Sequence, residues 1–277
     1  MFLIPIFVFV FVLIAVVYVF LIMPRVVDRA DMDLLSTDYA HRGLHSKTIP
    51  ENSLAAFSSA CNAGYGIELD VQLSKDGKIF VFHDDTLERM CGIKNRIQNM
   101  TSAEIKRCSL LGTSEKIPLL AEVLELVDGQ VPLLIEVKYA DNEIPLSKRL
   151  CLILDTYPGA FAIQSFDPTI LSFFKKYRPR FARGQLVSKF TLKNTRREAP
   201  RKMPFFVRFS LTHMLTNVLS RPDFISIDGR RLGEISYIIV AKIFKAKSFV
   251  WTIRKSEQYE LCKQKELYSI FENIRPD

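Results

Sequence analysis

From Met1 to Met23 the chain reads MFLIPIFVFVFVLIAVVYVFLIM, with no charged side chain in the run. An unbroken apolar stretch of about 18 residues or more predicts a helix long enough to cross a bilayer. Pro5 falls near its start, where a helix tolerates it. A cleaved signal peptide fits less well, because no Lys or Arg precedes the run, the run is too long, and no small-x-small site follows it directly. After Pro24 the apolar positions recur in short runs to the C-terminus. Eight of these predict strands, at 36–41, 66–73, 78–83, 132–138, 160–165, 181–187, 223–228 and 248–253. Between most of them the spacing turns helical. In 52–63, Leu54, Phe57 and Cys61 share a face, Asn52 or Ser53 can cap the start, and Gly64 ends the helix. Segments 119–127, 168–176 and 232–244 read the same way. Strand–helix alternation predicts a parallel sheet covered by helices, and eight strands predict a closed α/β barrel. The expected organisation is a membrane anchor over 1–24, a linker over 25–35 and one barrel domain over 36–277.

One connection breaks the alternation. Between Leu73 and Lys78 stand only Ser-Lys-Asp-Gly, and Asp-Gly between two apolar runs signals a hairpin. A two-residue turn at Asp76-Gly77 pairs positions that sum to 153, which sets Asp70 opposite His83. Segment 86–117 shows no clear strand and reads as a small cap over the strand ends.

Composition changes the picture in two places. The chain has 277 residues, 48% of them hydrophobic and 25% charged, which suits one globular domain with a sizeable core. Net charge is +8, and from Lys175 to Arg208 twelve Lys or Arg stand against one acidic residue, Glu198. Such a run is most simply a solvated face. Beside a tethered domain it also suits an anionic membrane, at about 1 kcal/mol per basic residue near the surface. No nucleic-acid motif or aromatic interleaving accompanies it, and nothing in the sequence points to a protein partner. The five cysteines (Cys61, Cys91, Cys108, Cys151 and Cys262) are odd in number and widely spaced, as reduced structural thiols are. With Arg25 and Arg29 following the span, they predict a single-pass protein whose barrel lies in the cytoplasm.

Candidate chemistry gathers at the strand ends, where a barrel of this kind builds its active site. Glu68 and Asp70 lie two apart and share one side of their strand. Glu136 ends an otherwise apolar strand. A single strand-end carboxylate is more often a rim salt bridge. Three at one mouth, with no Cys/His cluster, suit a hard divalent cation, Mg²⁺ or Ca²⁺, with water and substrate oxygens completing its shell. His41 and His83 each close a strand beside these carboxylates and fit a general base and a general acid. Arg42 and Lys138 supply positive charge for a phosphate.

Taken in order, HRG, PENSLAAFSSACNAG, ELDVQLSKDGKIFVFHDD, IPLLAEVLEL, IEVK, QSF and WTIR resemble the glycerophosphodiester phosphodiesterase family, from Tyr39 to the C-terminus. The resemblance implies a TIM (β/α)8-type barrel, here preceded by one transmembrane helix. It implies a divalent metal held by Glu68, Asp70 and Glu136. It implies that a neighbouring hydroxyl of the substrate attacks phosphorus, with His41 as base and His83 protonating the leaving alcohol. Arg42 and Lys138 would balance phosphate charge, and Phe166 and Trp251 would pack against glycerol or headgroup. Glu51 and Asn52 would stand behind them, orienting His41 and capping the helix. Where relatives often carry Asn after the Trp-Thr-x of the last strand, Arg254 stands here, either favouring a more anionic headgroup or pairing with Asp228. The fused span suggests a membrane substrate such as a lysophospholipid, beside soluble glycerophosphodiesters. Two other classes compete: a catalytically silent barrel that binds a phospholipid headgroup, and a lipid phosphodiesterase of the phosphoinositide- or sphingomyelin-cleaving type. The full set of two histidines, three carboxylates and Arg42 disfavours the first. A lasting cyclic phosphate product would mark the second.

Overall fold

The computed structural model describes residues 3–26, 32–138, 143–190 and 203–276. Nine strands form one sheet: β1 (Tyr39–His41), β2 (Gly66–Leu73), β3 (Ile79–Val81), β4 (Leu133–Val137), β5 (Phe161–Ser165), β6 (Ala182–Val187), β7 (Phe224–Asp228), β8 (Lys247–Ile253) and β9 (Tyr268–Phe271). β1 and β2, then β4 to β9, pair in parallel around a ring that β1 closes by pairing with both β2 and β9. The eight-stranded TIM-type barrel is therefore present, but its strands are not the eight expected. The run at 78–83 contributes β3, which pairs antiparallel with β2 outside the ring. The eighth ring strand is β9, a short YSIF segment after a polar helix that the hydrophobic pattern did not mark.

The inner face sorts by depth. At the N-terminal rim the inward positions are apolar: Tyr39, Leu134, Ala162, Ala182, Phe224, Phe249 and Ile270, with Met32 and Leu35 closing the barrel below. Two residues further along their strands the same parity points His41, Glu136 and Gln164 inward, and four beyond Phe224 it points Asp228 inward, so polar chemistry begins where the apolar plug ends. The plug needs one glycine. A Cβ on Gly184 would lie 2.0 Å from the fully buried Phe224 ring. On the outer face, Leu69, Val71, Ile135, Ile163, Ile225 and Val250 pack beneath the helices in the main hydrophobic core.

Helix α1 (Leu3–Ile22) is the expected apolar one and is long enough to cross a membrane. Helix α2 (Leu54–Ala63) starts at Ser53, whose side chain accepts from the Ala56 N–H, and ends at Gly64 in the left-handed region. Ser53 rather than Asn52 is thus the cap.

The hairpin also departs from expectation by one position. Ser74 and Lys78 close a three-residue loop with Gly77 at φ 76°, and the strands pair at sums of 152, so Asp70 stands level with Phe82. A three-residue loop with a left-handed glycine is the next common hairpin solution. It is held by Asp76, which accepts from the Ser74 hydroxyl and from the Ser102 N–H and hydroxyl of the cap. Segment 86–117 does cap the strand ends, around its own core of Phe80, Phe82, Leu87, Met90, Ile97, Ile105 and Ile117.

The Gly184–Phe224 contact yields a test. Gly184→Ala should lower stability by about 1–3 kcal/mol, since an overpacked core must strain. Gly184→Ala with Phe224→Leu should recover part of that loss in thermal melts. An unchanged melting temperature in the single variant would show that the plug is loosely packed.

Candidate active site

The HRG turn ends β1. Arg42 and Gly43 both take positive φ, 59° and 80°, and a Cβ on Gly43 would meet Ala56 and the Phe57 ring at 2.9 Å. Glycine is required there on both counts. The turn is clamped by the PEN element, where the Asn52 N–H donates to the Arg42 carbonyl at 2.9 Å. With the backbone so bent, the Arg42 N–H donates to Glu68 at 3.2 Å and its guanidinium to Glu51 at 2.7 Å, with Nε 3.6 Å from Asp70.

Glu68, Asp70 and Glu136 are all buried, and one oxygen from each lies within 4.8 Å of the others. Gln164 donates its amide to Glu68 at 3.1 Å and Asn52 donates to Asp70 at 3.0 Å. The Lys138 ammonium sits between Asp70, at 2.8 Å, and Glu136, at 2.6 Å. Burial and then the charges of Asp70 and Glu136 push the Glu68 carboxyl well above its ordinary range. Burial also penalises the Asp70 anion, but Lys138, His83 and Arg42 outweigh it and hold that carboxyl far below.

Two buried acceptor oxygens, Oδ1 of Asn52 and Oε1 of Gln164, have no donor among the described residues, although the amides of the same side chains are engaged. Three carboxylates thus face two cations, Lys138 and Arg42, with spare acceptor oxygens around them. That donor set fits a hard divalent cation.

Both histidines line the cavity that Glu68 and Glu136 also line. His41 Nδ1 lies 2.6 Å from Glu272, and Nε2 lies 4.0 Å from Glu68. Burial lowers the imidazole to about 4, against the pull of Glu272. Glu272 is itself pushed up by burial but held at about 2 by the hydrogen bond to His41 and by Arg254. The consistent assignment is a neutral imidazole donating Nδ1–H to Glu272 and turning a basic Nε2 toward the carboxylates. His83 Nδ1 lies 2.8 Å from Asp84, leaving its Nε2 for the mouth. Arg89, from the cap, joins Asp84 to Glu51 and so links the two histidine sites through Arg42. Gln72 fixes the turn that carries His83 by donating to the carbonyls of Phe82 and Asp84. The expected register for His83 was wrong, and the residue lines the same cavity as Glu68 and Glu136.

Above the polar floor opens a cavity of about 980 Å³, lined by His41, Glu68, His83, Lys138, Phe166 and Trp251. Phe166 meets Trp251 edge-on at 5.8 Å. Glu51 and Asn52 hold Arg42 and Asp70, and it is Glu272 that holds His41. Glu272 escaped the sequence reading because its strand did: two residues beyond inward-facing Ile270, it follows from β9 parity. Arg254 pairs with Glu272, while Asp228 pairs with Arg230.

Comparison with known proteins agrees with this geometry. The model of the glycerophosphoryl diester phosphodiesterase family matches residues 41–271. A glycerophosphodiester phosphodiesterase of Caldanaerobacter subterraneus is 37% identical over 158 residues, 53% of this chain and 65% of that protein. A lysophospholipase D of Rattus norvegicus is 31% identical over 127 residues, 41% of this chain and 40% of that one. The chain thus spans less than two thirds of either relative. In fold it is similar to a phosphodiesterase of Oleispira antarctica solved with the product sn-glycerol-3-phosphate, at 24% identity, a TM-score of 0.71, and coverage of 88% of this chain and 96% of that one.

A proton-sensitive measurement checks the His41 assignment. Lowered from its ordinary value, His41 should remain neutral as pH falls through 6 and become charged only near about 4. Nitrogen-15 shifts of the imidazole should therefore report the Nδ1–H tautomer at pH 5.5. A ring already charged there would show that the Glu272 carboxylate outweighs burial, and that the neutral tautomer is misassigned.

Proposed function

The chain belongs to the glycerophosphoryl diester phosphodiesterase family, and from that premise we propose that it hydrolyses glycerophosphodiesters, lysophospholipids included, to an alcohol and a glycerol phosphate. The observation that carries the reading is that two histidines and a buried acidic cluster share one cavity at the mouth of the barrel.

In this reading the phosphodiester lies over Glu68, Asp70 and Glu136, with its charge facing Lys138 and Arg42. A divalent cation on those three carboxylates would polarise a phosphoryl oxygen and orient the substrate. His41 Nε2 takes the proton of the substrate's neighbouring hydroxyl as that oxygen bonds to phosphorus. Glu272 keeps the ring in the tautomer that can accept it. His83 delivers a proton to the departing alcohol oxygen as its bond to phosphorus breaks. The resulting cyclic ester opens when water adds at phosphorus with the roles reversed, and the hydroxyl is regenerated. Asp84, fixed by Arg89, keeps the His83 ring aimed. Phe166 and Trp251 offer an apolar wall to glycerol or headgroup. Lysophospholipid use is supported by the apolar helix and by the named activity of the rat relative. A cytoplasmic barrel is supported by Arg25 following the span, while Arg29 lies outside the described residues.

Purified full-length protein should release choline or ethanolamine from the glycerophosphodiester, and lysophosphatidic acid from the lysolipid, with Mg²⁺ or Ca²⁺. Chelator should abolish both. His41→Ala and His83→Ala should each lower kcat by about 10²–10⁴-fold, the usual worth of one acid–base group. Folded wild-type protein that cleaves none of these diesters under either metal would sink the reading in favour of a headgroup-binding barrel. Product that stops at a cyclic phosphate would move it to the other lipid phosphodiesterases.

A further inference from the structure

The anchor helix is docked to the barrel in a way that fixes where it points. Two contacts mark its height. The Arg25 N–H donates to the Pro222 carbonyl at 2.9 Å, and its guanidinium reaches Asp223 at 3.4 Å. Both partners immediately precede β7, so Arg25 lies at the N-terminal rim. Seven residues earlier, Tyr18 lies against Ser236, in the first turn of a helix (Ile235–Ile238) that follows the C-terminal end of β7. Between them, Asn217 and Arg221 bind the carbonyls of Ile22 and of Phe20 and Met23, and Ile22 is fully buried in the main core. Read backward from Arg25, the helix climbs the barrel wall from the N-terminal rim to the C-terminal rim. It then continues through Ile4–Val17, whose side chains are all exposed. At 1.5 Å per residue those residues carry it about 20 Å beyond the rim that bears the active site.

The same rim carries a second apolar surface. The helix Phe205–Thr212 ends against it: the Thr212 hydroxyl accepts from the Phe190 N–H, and Arg231 donates to the carbonyls of Thr212 and Ser188, the residue after β6. Phe190 in turn packs edge-on to Phe166 in the cavity wall, at 5.8 Å. Phe206 is 78% exposed and Ile235 71%, with Phe205 and Phe209 also in solvent. Exposed aromatic side chains in such number mark an interaction surface. Arg208 lies in the same helix, as suits the edge of an anionic bilayer.

We propose that the mouth of the barrel rests on the bilayer that α1 enters, with Phe205, Phe206, Phe209 and Ile235 inserted at the interface beside the anchor. The occupant is a lipid surface rather than a protein. Ile235 adjoins Ser236, which meets Tyr18 of α1, and Ile4–Val17 beyond Tyr18 carry no polar side chain. Val16 and Val17, just beyond Tyr18 at the rim, are themselves exposed apolar groups that a bilayer at that height would cover. The proposal rests on the membrane reading of α1 and deepens the proposed activity: a monoacylated glycerophosphodiester would pass from leaflet to mouth without crossing water. The Phe166–Phe190 pair would form the apolar side of that passage.

Quenching by lipids brominated near the headgroup end of the acyl chain tests this without any assay of activity. Full-length protein in vesicles of phosphatidylcholine and phosphatidylserine would carry Phe206→Trp, or Leu219→Trp at the opposite rim, with the signal of Trp251 subtracted from wild type. Phe206→Trp should be quenched at least twofold more than Leu219→Trp. Equal quenching, or stronger quenching at 219, would overturn the orientation. Protein that carbonate extracts from the vesicles would overturn the membrane reading and the orientation with it. A second arm separates the orientation from the proposed reaction. Phe205→Ser/Phe206→Ser/Phe209→Ser should lose about tenfold in turnover of vesicle-borne lysolipid and keep its turnover of soluble glycerophosphocholine. A wild type inactive on both substrates, but quenched as expected, would sink the reaction and leave the orientation standing.

Discussion

Three carboxylates buried at one end of a barrel are the constraint on which the rest of this structure depends. Like charges at such distances in a dry site cannot all remain ionised unless opposite charge is brought to them. The fold brings it from three directions. Lys138 comes from just past the end of the strand that carries Glu136, two residues on. Arg42 comes from a turn whose left-handed backbone the PEN element and Gly43 make possible. Amide donors come from Asn52 and Gln164. The supply still falls short, and Glu68 is the group that shows it. A site left one positive charge short, with acceptor oxygens to spare, is built to be completed by something that binds.

The histidines are held by carboxylates that lie outside this cluster. Glu272 and Asp84 each fix one imidazole by its Nδ1 and leave the other nitrogen to the mouth. Arg254 and Arg89 keep those two carboxylates ionised and in place. The pairing is a division of labour set by environment: deep burial keeps His41 neutral, while His83 is more exposed and closer to cap residues. The cap is therefore part of the candidate site, since Arg89 reaches from it to both Asp84 and Glu51. Asp76, which ties the cap to the hairpin loop, contributes to the same end from a distance.

Much of this was legible in the sequence because period-two parity is a strict rule. Once Glu68 and Asp70 are on one strand, they share a face, and once Lys138 follows Glu136 by two, it must point at the same centre. The parallel α/β architecture followed from the alternation of apolar runs, while the count reached eight because β3, outside the ring, stood in for the missed β9. What escaped was short or locally ambiguous. β9 has four residues and follows a polar helix, so its apolar signal was lost, and Glu272 was lost with it. The hairpin register hung on whether Asp-Gly spans two residues or serves as the end of a three-residue loop, and the Ser74–Lys78 closure decides that through contacts with the cap. The basic segment 175–208 was visible as charge, but 191–202 fall outside the described residues. The exposed phenylalanines of 205–212 carried no periodicity to separate a lipid-facing helix from a core one. Only their position at the mouth rim, beside a docked anchor, gives them a role.

The central claim is that the acidic cluster is one cation short. Calorimetric titration of chelator-stripped protein with Ca²⁺, and separately with Mg²⁺, tests it without reference to any substrate. The account predicts one ion per chain, bound by wild type and lost in Glu136→Gln, with the folded state stabilised to heat only when the ion is present. Wild type that binds neither ion up to millimolar concentration, and melts at the same temperature with and without them, would show that Lys138 and Arg42 already balance the cluster and that the site was misread.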